Sequence, residues 1–294
     1  MINGIINVLK PTGMTSSDVV YWLRRKLQTK KIGHTGTLDP GVAGVLPICV
    51  GKATRLAEYL TEQGKAYRAE VLFGQSTTTQ DGYGQVLKDR PANHLRAKDL
   101  LTILPDFMGN IQQLPPMHSA VRQGGRHLYE YARAGVEVER KSREVTIKKL
   151  ELLEWIEEDK PRAVIDINCS KGTYVRTLCH DIGETLGCGA HMSYLLRTRS
   201  GPFKLEDSLT LEEINHFVSK QDSSFLLPLA TGLDLPVIEL EKERVRAFQN
   251  GLPTYLEANG QRYEDGSHFQ VYGQGNLLGI GIWQEGQIHP HKVL

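Results

Sequence analysis

Within residues 31–48, "KIGHTGTLDPGVAGVLPI", one carboxylate, Asp39, stands between Leu38 and Pro40, and one histidine, His34, accompanies it. Four glycines and two prolines crowd the same stretch, which argues against an ordinary helix or a central strand and for a loop. A lone acid on a loop narrows the chemistry. The segment holds neither G-x-G-x-x-G nor G-x-x-x-x-G-K-[ST], so it does not read as a nucleotide-phosphate cradle. Glycoside hydrolysis needs two carboxylates, and although Asp81 is available, nothing in the sequence brings it to Asp39. No G-x-S-x-G marks a serine nucleophile. A lone carboxylate can still attack covalently or take up a proton. It can also be a turn aspartate, because Asp-Pro suits turn initiation.

The flanking elements must position this loop. "INVLKPTGMTSSDVV" reads as a short strand, a Lys10-Pro11 turn and a helix start capped by Ser16 or Ser17, with Val19, Val20, Leu23 and Leu27 at helical spacing. "GKATRLAEYLTEQ" reads as a second helix with Leu56, Ala57 and Leu60 on one face. "KAYRAEVLFG" alternates, placing Tyr67, Ala69, Val71 and Phe73 on one side of a strand. "QSTTTQDGYGQ" is a polar loop after it, and residues 95–104 have helix spacing that stops at Pro105. A short helix closed by Gly135 follows. Residues 143–156 and 163–169 read as strands. "KGTYVRTLCHDIGETLG" is a helix that Thr173 can cap and Gly187 ends. "AHMSYLLRTRSG" is a strand. This irregular alternation lacks the βαβ rhythm of a doubly wound sheet, so the class is α+β. After Leu229 the texture shifts to short glycine-punctuated strands, "FQVYG", "NLLGIGIW" and "GQIHPHKVL", the mark of a small β-rich appendage beginning near Asp234.

Bulk composition adds bounds. The chain has 294 residues, enough for one large domain and a small one, and a net charge of only +1, which by itself names no polyanionic partner. Residues 21–35 carry five basic side chains and no acid, and residues 120–150 eight against four, while residues 234–294 lean acidic. That distribution fits a nucleic-acid binder weakly. Cys49, Cys169, Cys179 and Cys188 have no Cys-x-x-Cys spacing, and Cys188 with His191 lacks a second pair for zinc, so buried reduced thiols are expected. No signal peptide or membrane-spanning run stands out, and a cytoplasmic address is expected.

Gly33-His34-Thr35-Gly36-Thr37-Leu38-Asp39-Pro40 resembles the signature of the TruB family, bacterial enzymes that make pseudouridine at position 55 of the tRNA T loop. Other motifs occur in the family's order over nearly the whole chain. They are Lys10-Pro11-x-Gly13-x-Thr15-Ser16, Lys65-x-Tyr67, Gly74-x-x-Thr77-x-Thr79-x-Asp81-x-x-Gly84, "PPMHSAVRQGGRHLYEYARAG", "CSKGTYVRTLCHDIG" and "CGAHMSYL". Two positions depart from the family pattern: Val42 stands where Ala is usual, and Leu196 where Arg is frequent.

The resemblance implies a pseudouridine synthase fold, a largely antiparallel mixed sheet flanked by helices, over residues 1–233. It also implies a tRNA-contacting insertion near 110–140 and a PUA-like RNA-binding barrel over 234–294. It makes Asp39 the nucleophile. Tyr67 stacks on the target uracil and could help remove its C5 proton, and Arg176 pairs with Asp39. Leu195 lines the base pocket, Tyr174 packs beside the base, and His34 fills the space left by the flipped uridine. Asp81 positions the polar loop, and Lys10 either braces the glycine loop or meets a phosphate. The glycines let the loop approach a nucleotide closely. The isomerisation breaks N1–C1′ and forms C5–C1′, with no hydrolysis and no redox change, so neither metal nor organic cofactor is expected. The implied partner is tRNA, with no membrane, no required protein partner and a monomeric state. Phosphate contacts are expected from residues 24–31 and 122–149. Three alternatives stand beside this reading: a non-catalytic RNA-binding protein, a guide-RNA-dependent synthase and a glycoside hydrolase.

Overall fold

The computed structural model describes residues 2–255 and 263–294. Strand β1 (Gly4–Lys10) leads into helix α1 (Ser16–Lys26). Thr15, rather than Ser16 or Ser17, caps α1. Its hydroxyl accepts from the Asp18 N–H at 3.0 Å while the Asp18 carboxylate accepts from the Thr15 N–H at 2.8 Å, and this reciprocal box outcompetes a single serine. The expected apolar face of α1, Val19, Val20, Leu23 and Leu27, is buried.

Residues 31–48 are only partly loop. Strand β2 (Ile32–His34) and strand β3 (Ala43–Val50) bracket residues 35–42. The expectation of no central strand in this stretch is corrected by β3, which has partners on both edges. It runs antiparallel to β1 on one side, and on the other it meets β2 at Ile48–Val50 and residues 196–197 at Ala43 and Gly44. Pro47 is tolerated because it falls between those two short pairings. Its carbonyl there accepts from the Thr35 N–H at 3.1 Å, and its missing N–H leaves no partner unserved. The second expected helix is a 3-10 turn, Gly51–Leu56, running into the short helix α2 (Ala57–Thr61), with Leu56 and Leu60 buried.

Strand β4 (Lys65–Phe73) buries Ala69, Val71 and Phe73 as its alternation requires. The polar segment beyond it is a hairpin, not a loop: β5 (Gln75–Thr77) pairs with β6 (Val86–Asp89). Helix α3 (Ala97–Ile103), strand β7 (Gly109–Gln113), a two-rung ribbon of β8 (Arg122–Gln123) and β9 (Arg126–His127), and helix α4 (Leu128–Arg133) precede the long strands β10 (Arg143–Ile156) and β11 (Arg162–Cys169). Helix α5 (Val175–Thr185) starts at an N-cap, Tyr174, with no side-chain cap bond. Thr173, the expected cap, instead donates its hydroxyl to the Ser170 carbonyl at 3.0 Å. Strand β12 (Ala190–Ser200), strand β13 (Phe203–Lys204) and helix α6 (Leu211–Ser219) follow.

The main sheet has the order β1-β3-β12-β4-β11-β10-β7, with β2 added to β3 and β13 to β12. Every pairing is antiparallel except β3 with β12, so the fold is mixed α+β as the sequence indicates. The core lies where α1 and α5 cover the sheet through Leu23, Leu178 and Ile182 against Ile6, Leu46, Ile48 and Phe73. The four cysteines are buried free thiols.

A second sheet of β14 (Val237–Leu240), β15 (Thr254–Tyr255), β16 (His268–Gly273), β17 (Asn276–Gln284) and β18 (Gln287–Val293) has the order β14-β16-β17-β18-β15. Helix α7 (Lys242–Gln249), which the sequence reading misses, packs Phe248 into this sheet's own core beside Phe269 and Val271. Ile280 and Leu294 join Ile5, Val45 and Leu56 in one cluster, so the small sheet seats against the large one. Among the described residues no helix is long and apolar enough to cross a membrane.

Candidate active site

Residues 35–42 form a loop whose backbone is tied down almost residue by residue. Thr35 bonds Pro47. The Gly36 carbonyl accepts from Arg197 Nη2 at 3.2 Å. The Ser16 hydroxyl accepts from the Leu38 N–H at 2.8 Å and donates to the Leu38 carbonyl at 3.2 Å. The Asp39 carbonyl accepts from the Val42 N–H at 3.0 Å, and the Pro40 carbonyl from the Gly13 N–H at 2.8 Å. Lys10 closes the set: its ammonium, wholly buried, donates to the carbonyls of Pro11 at 2.8 Å, Met14 at 2.5 Å and Pro40 at 3.4 Å. Of the two roles open to Lys10, bracing the loop is the one the structure supports. Burial pulls its pKa down to about 8, with Asp39 acting the opposite way.

The glycines of the loop serve internal packing as much as any ligand. Gly44 has φ +121°, and a Cβ there would strike the Arg197 main chain where β3 meets β12. A Cβ on Gly41 would strike the ring of Tyr83.

The side chain left free by this scaffold is Asp39. It is 46% accessible, while its partner Arg176, one residue into α5, is only 8% accessible. Arg176 Nη2 lies 3.2 Å from Asp39 Oδ2, and Nη1 lies 3.3 Å from Asp81 Oδ2. The guanidinium also donates to the carbonyls of His118 at 2.9 Å and Thr79 at 3.3 Å. Asp81 is held in turn by the Thr79 hydroxyl at 2.5 Å and the Tyr83 N–H at 3.0 Å. The chain of contacts therefore runs from a rigid hairpin turn, through a buried guanidinium, to an open carboxylate. Asp81 meets Asp39 only through Arg176, which is not the face-to-face carboxylate pair of a glycosidase. An aspartate so held is oriented by its ion pair while remaining open to a reacting carbon.

Tyr67 sits on β4 between Ile167 of β11 and Arg197 of β12. Burial pushes its phenol above the usual range, and Arg197, which hydrogen-bonds it, pulls the other way. A guanidinium only donates, so the phenol oxygen accepts from Arg197 and the phenolic proton remains available to another partner. Arg197 itself is 1% exposed and donates from Nε to the Val45 carbonyl at 2.7 Å. His34, half-buried on β2, is held below the ordinary histidine range by burial and then by Arg197, so its ring is neutral at pH 7. Its Nδ1 has no hydrogen-bond partner among the described residues. Leu195 is buried in the main core, opposite Ala69. Tyr174 is half-buried, its main chain clamped by Gln113, which accepts from the Tyr174 N–H at 2.7 Å and donates to its carbonyl at 3.0 Å.

Three residues here escape the sequence reading. Ser16 reads as a cap but fastens the aspartate loop. Tyr83 reads as loop but lies on Gly41. Arg197 reads as an ordinary strand arginine, yet its separation of two residues from Leu195 places both on one face of β12 and signals its burial.

Residues 24–175 match the model of the TruB family pseudouridylate synthase N-terminal domain, and residues 176–234 that of the tRNA pseudouridylate synthase B C-terminal domain. The chain belongs to the TruB family of pseudouridylate synthases. Asp39, Tyr67 and Asp81 fall in the first matched segment, and Arg176, Leu195 and Arg197 in the second. The chain is 54% identical to the tRNA pseudouridine synthase B of Symbiobacterium thermophilum over 252 residues, 85% of this chain and 83% of that one. It is 48% identical to the enzyme of the same name from Moorella thermoacetica over 311 residues, 100% of both. Among solved structures, a chain of a Cbf5-Nop10-Gar1 complex superposes with a TM-score of 0.72 at 30% identity, covering 95% of this chain and 78% of that one. This TruB-family chain thus shares its fold with a chain of the Cbf5-Nop10-Gar1 complex, and more of its sequence with enzymes named for tRNA.

Proposed function

We propose that this enzyme isomerises the T-loop uridine at tRNA position 55 to pseudouridine, with Asp39 as nucleophile and without a guide RNA. The observation that carries the reading is the open Asp39 carboxylate, 3.2 Å from a buried Arg176 whose far side is fixed by Asp81. Arg176 holds the Asp39 carboxylate in place until an extruded uridine reaches it. Covalent attack and sugar deprotonation both use that carboxylate, and either ends with C5 joined to C1′. Tyr67 stacks on the uracil and offers its free phenolic proton; the raised pKa of the phenol makes it a poor base at neutral pH unless substrate binding changes its surroundings. Leu195 and Tyr174 bound the base, and His34, being neutral, fills the vacated stack without burying a charge. Extrusion costs a few kcal/mol, part of which such an insertion offsets.

Residues 1–233 form the catalytic part in this reading, and residues 234–294 an RNA-binding PUA-like domain. Residues 110–140 contact the tRNA, an assignment supported by exposed Arg122 and Arg126 and by Arg133 over the Tyr129 ring at 5.3 Å. The enzyme acts as a monomer in the cytoplasm, with neither cofactor nor protein partner. A synthase dependent on an assembly, as suggested by the Cbf5 neighbour, is less favoured, since identity to the tRNA-named enzymes is 54% against 30%. The test is tritium release from an unmodified tRNA transcript labelled at uracil C5, incubated with wild type and Asp39→Asn without guide RNA. Release by wild type alone is expected. No release from either, with tRNA still bound, refutes the catalytic reading.

A further inference from the structure

Tyr83 is 80% exposed, an unusual state for an aromatic ring mounted on so rigid a turn. Its own N–H is bonded to Asp81 Oδ1 at 3.0 Å, and the neighbouring Gly82 N–H to the Met192 carbonyl at 3.0 Å, so the base of the side chain is fixed. One side of the ring rests on Gly41, two residues after Asp39, where a Cβ would force the ring to shift. The ring therefore stands at the mouth of the aspartate loop with most of its surface in water. Solvent contact alone does not account for this placement, whereas an incoming substrate does. An RNA that delivers a flipped uridine to Asp39 meets this rim. Flipping takes the uridine's stacking from both flanking bases, and a single inserted side chain such as His34 leaves a second base face for the rim to cover.

We infer that Tyr83 is a stacking platform for the base flanking the extruded uridine. The inference rests on the reading of Asp39 as the residue that engages that uridine. The ligand class is a single-stranded RNA base of any identity, because stacking reads the π-face and not the hydrogen-bonding edge. Gly41 serves the same function from below, by leaving room for the edge and hydroxyl end of the ring beside the Asp39 loop.

The experiment uses the full-length enzyme with a T-stem-loop RNA carrying 2-aminopurine on either side of the target uridine, together with the tritium assay. Tyr83→Phe keeps the ring and retains both quenching and KM. Tyr83→Leu covers Gly41 without a ring, and its exposed position spares the fold. It is expected to lose fluorescence quenching at one flanking position and to raise KM about tenfold, the order of one lost base–aromatic stack. Its kcat at saturating RNA stays within about twofold of wild type, the signature of lost uniform binding. A fall in kcat with KM and quenching unchanged overturns the inference, since Tyr83 then only props the Asp39 loop through Gly41. Leucine behaving as wild type in every readout overturns it as well. Quenching that depends on Tyr83 in an enzyme releasing no tritium would sink the catalytic reading while leaving the stacking contact in place.

Discussion

Replacing Lys10 with Met separates stability from loop positioning. The side chains are similar in length, but methionine cannot donate to the Pro11 and Met14 carbonyls, bonded at 2.8 and 2.5 Å, nor hold Pro40 at 3.4 Å. Losing charge-assisted hydrogen bonds to these two part-buried carbonyls costs roughly 1.5–2 kcal/mol each, the low end of the range for charged donors. Against this, the ammonium pays for its burial: a pKa moved from 10.5 to about 8 penalises the charged form by roughly 3 kcal/mol. At pH 7 the two effects nearly cancel, and Lys10→Met is expected within about 1 kcal/mol of wild type. The folded-state pKa lies below the unfolded one, so the wild type sheds the penalty as pH rises from about 8 to 10.5 and incurs it again as pH falls through 8. A neutral amine still donates, so wild type should gain about 2.5 kcal/mol over the variant between pH 7 and 10. Urea titrations of both proteins at the two pH values measure this directly. Lys65, whose burial also takes it to about 8, titrates in both proteins and cancels. Activity behaves differently: with the Pro40 carbonyl next to Asp39 held by the Gly13 N–H alone, kcat should fall at least about tenfold even where stability is unchanged. Parallel stability profiles from pH 7 to 10, or a variant with full kcat, would refute the reasoning.

Other outcomes follow from the same geometry. Arg176→Met strands the Asp81 carboxylate, only 11% accessible, and should cost about 3–5 kcal/mol in chemical denaturation, with Asp81→Leu in that background recovering part of it. Gly44→Ala drives a Cβ into the Arg197 main chain at φ +121° and should lower Tm by about 5 °C or more; an unchanged melt would mean that β3 and β12 tolerate separation there. Arg126→Ala on the exposed ribbon should weaken RNA binding and reduce the slope of log K against log salt by about one; an unchanged slope removes this residue from the phosphate contacts.

Much of the molecule is legible in the order of its residues. Alternation fixes β4 and the face it buries, helical spacing fixes α1 and α5, and Gly187 ends α5, because these patterns are local consequences of periods of two and 3.6 residues. The lone carboxylate, the motif order and the family follow from the sequence as well, and so does the pairing of Asp39 with Arg176 once the resemblance is granted. Other features were decided only by tertiary contact. Residues 43–50 carry Gly44 and Pro47 and end a glycine-rich stretch, yet form an inner strand because β1, β2 and β12 together satisfy their backbone and leave a gap at Pro47. Helix α7 carries little apolar pattern of its own and forms because Phe248 finds a core. Asp81 and Arg176 stand 95 residues apart, and no spacing rule joins a hairpin turn to the first turn of a helix. The burial of Lys10 and Arg197 likewise depends on which carbonyls the fold brings to them, a long-range fact that composition and periodicity do not encode.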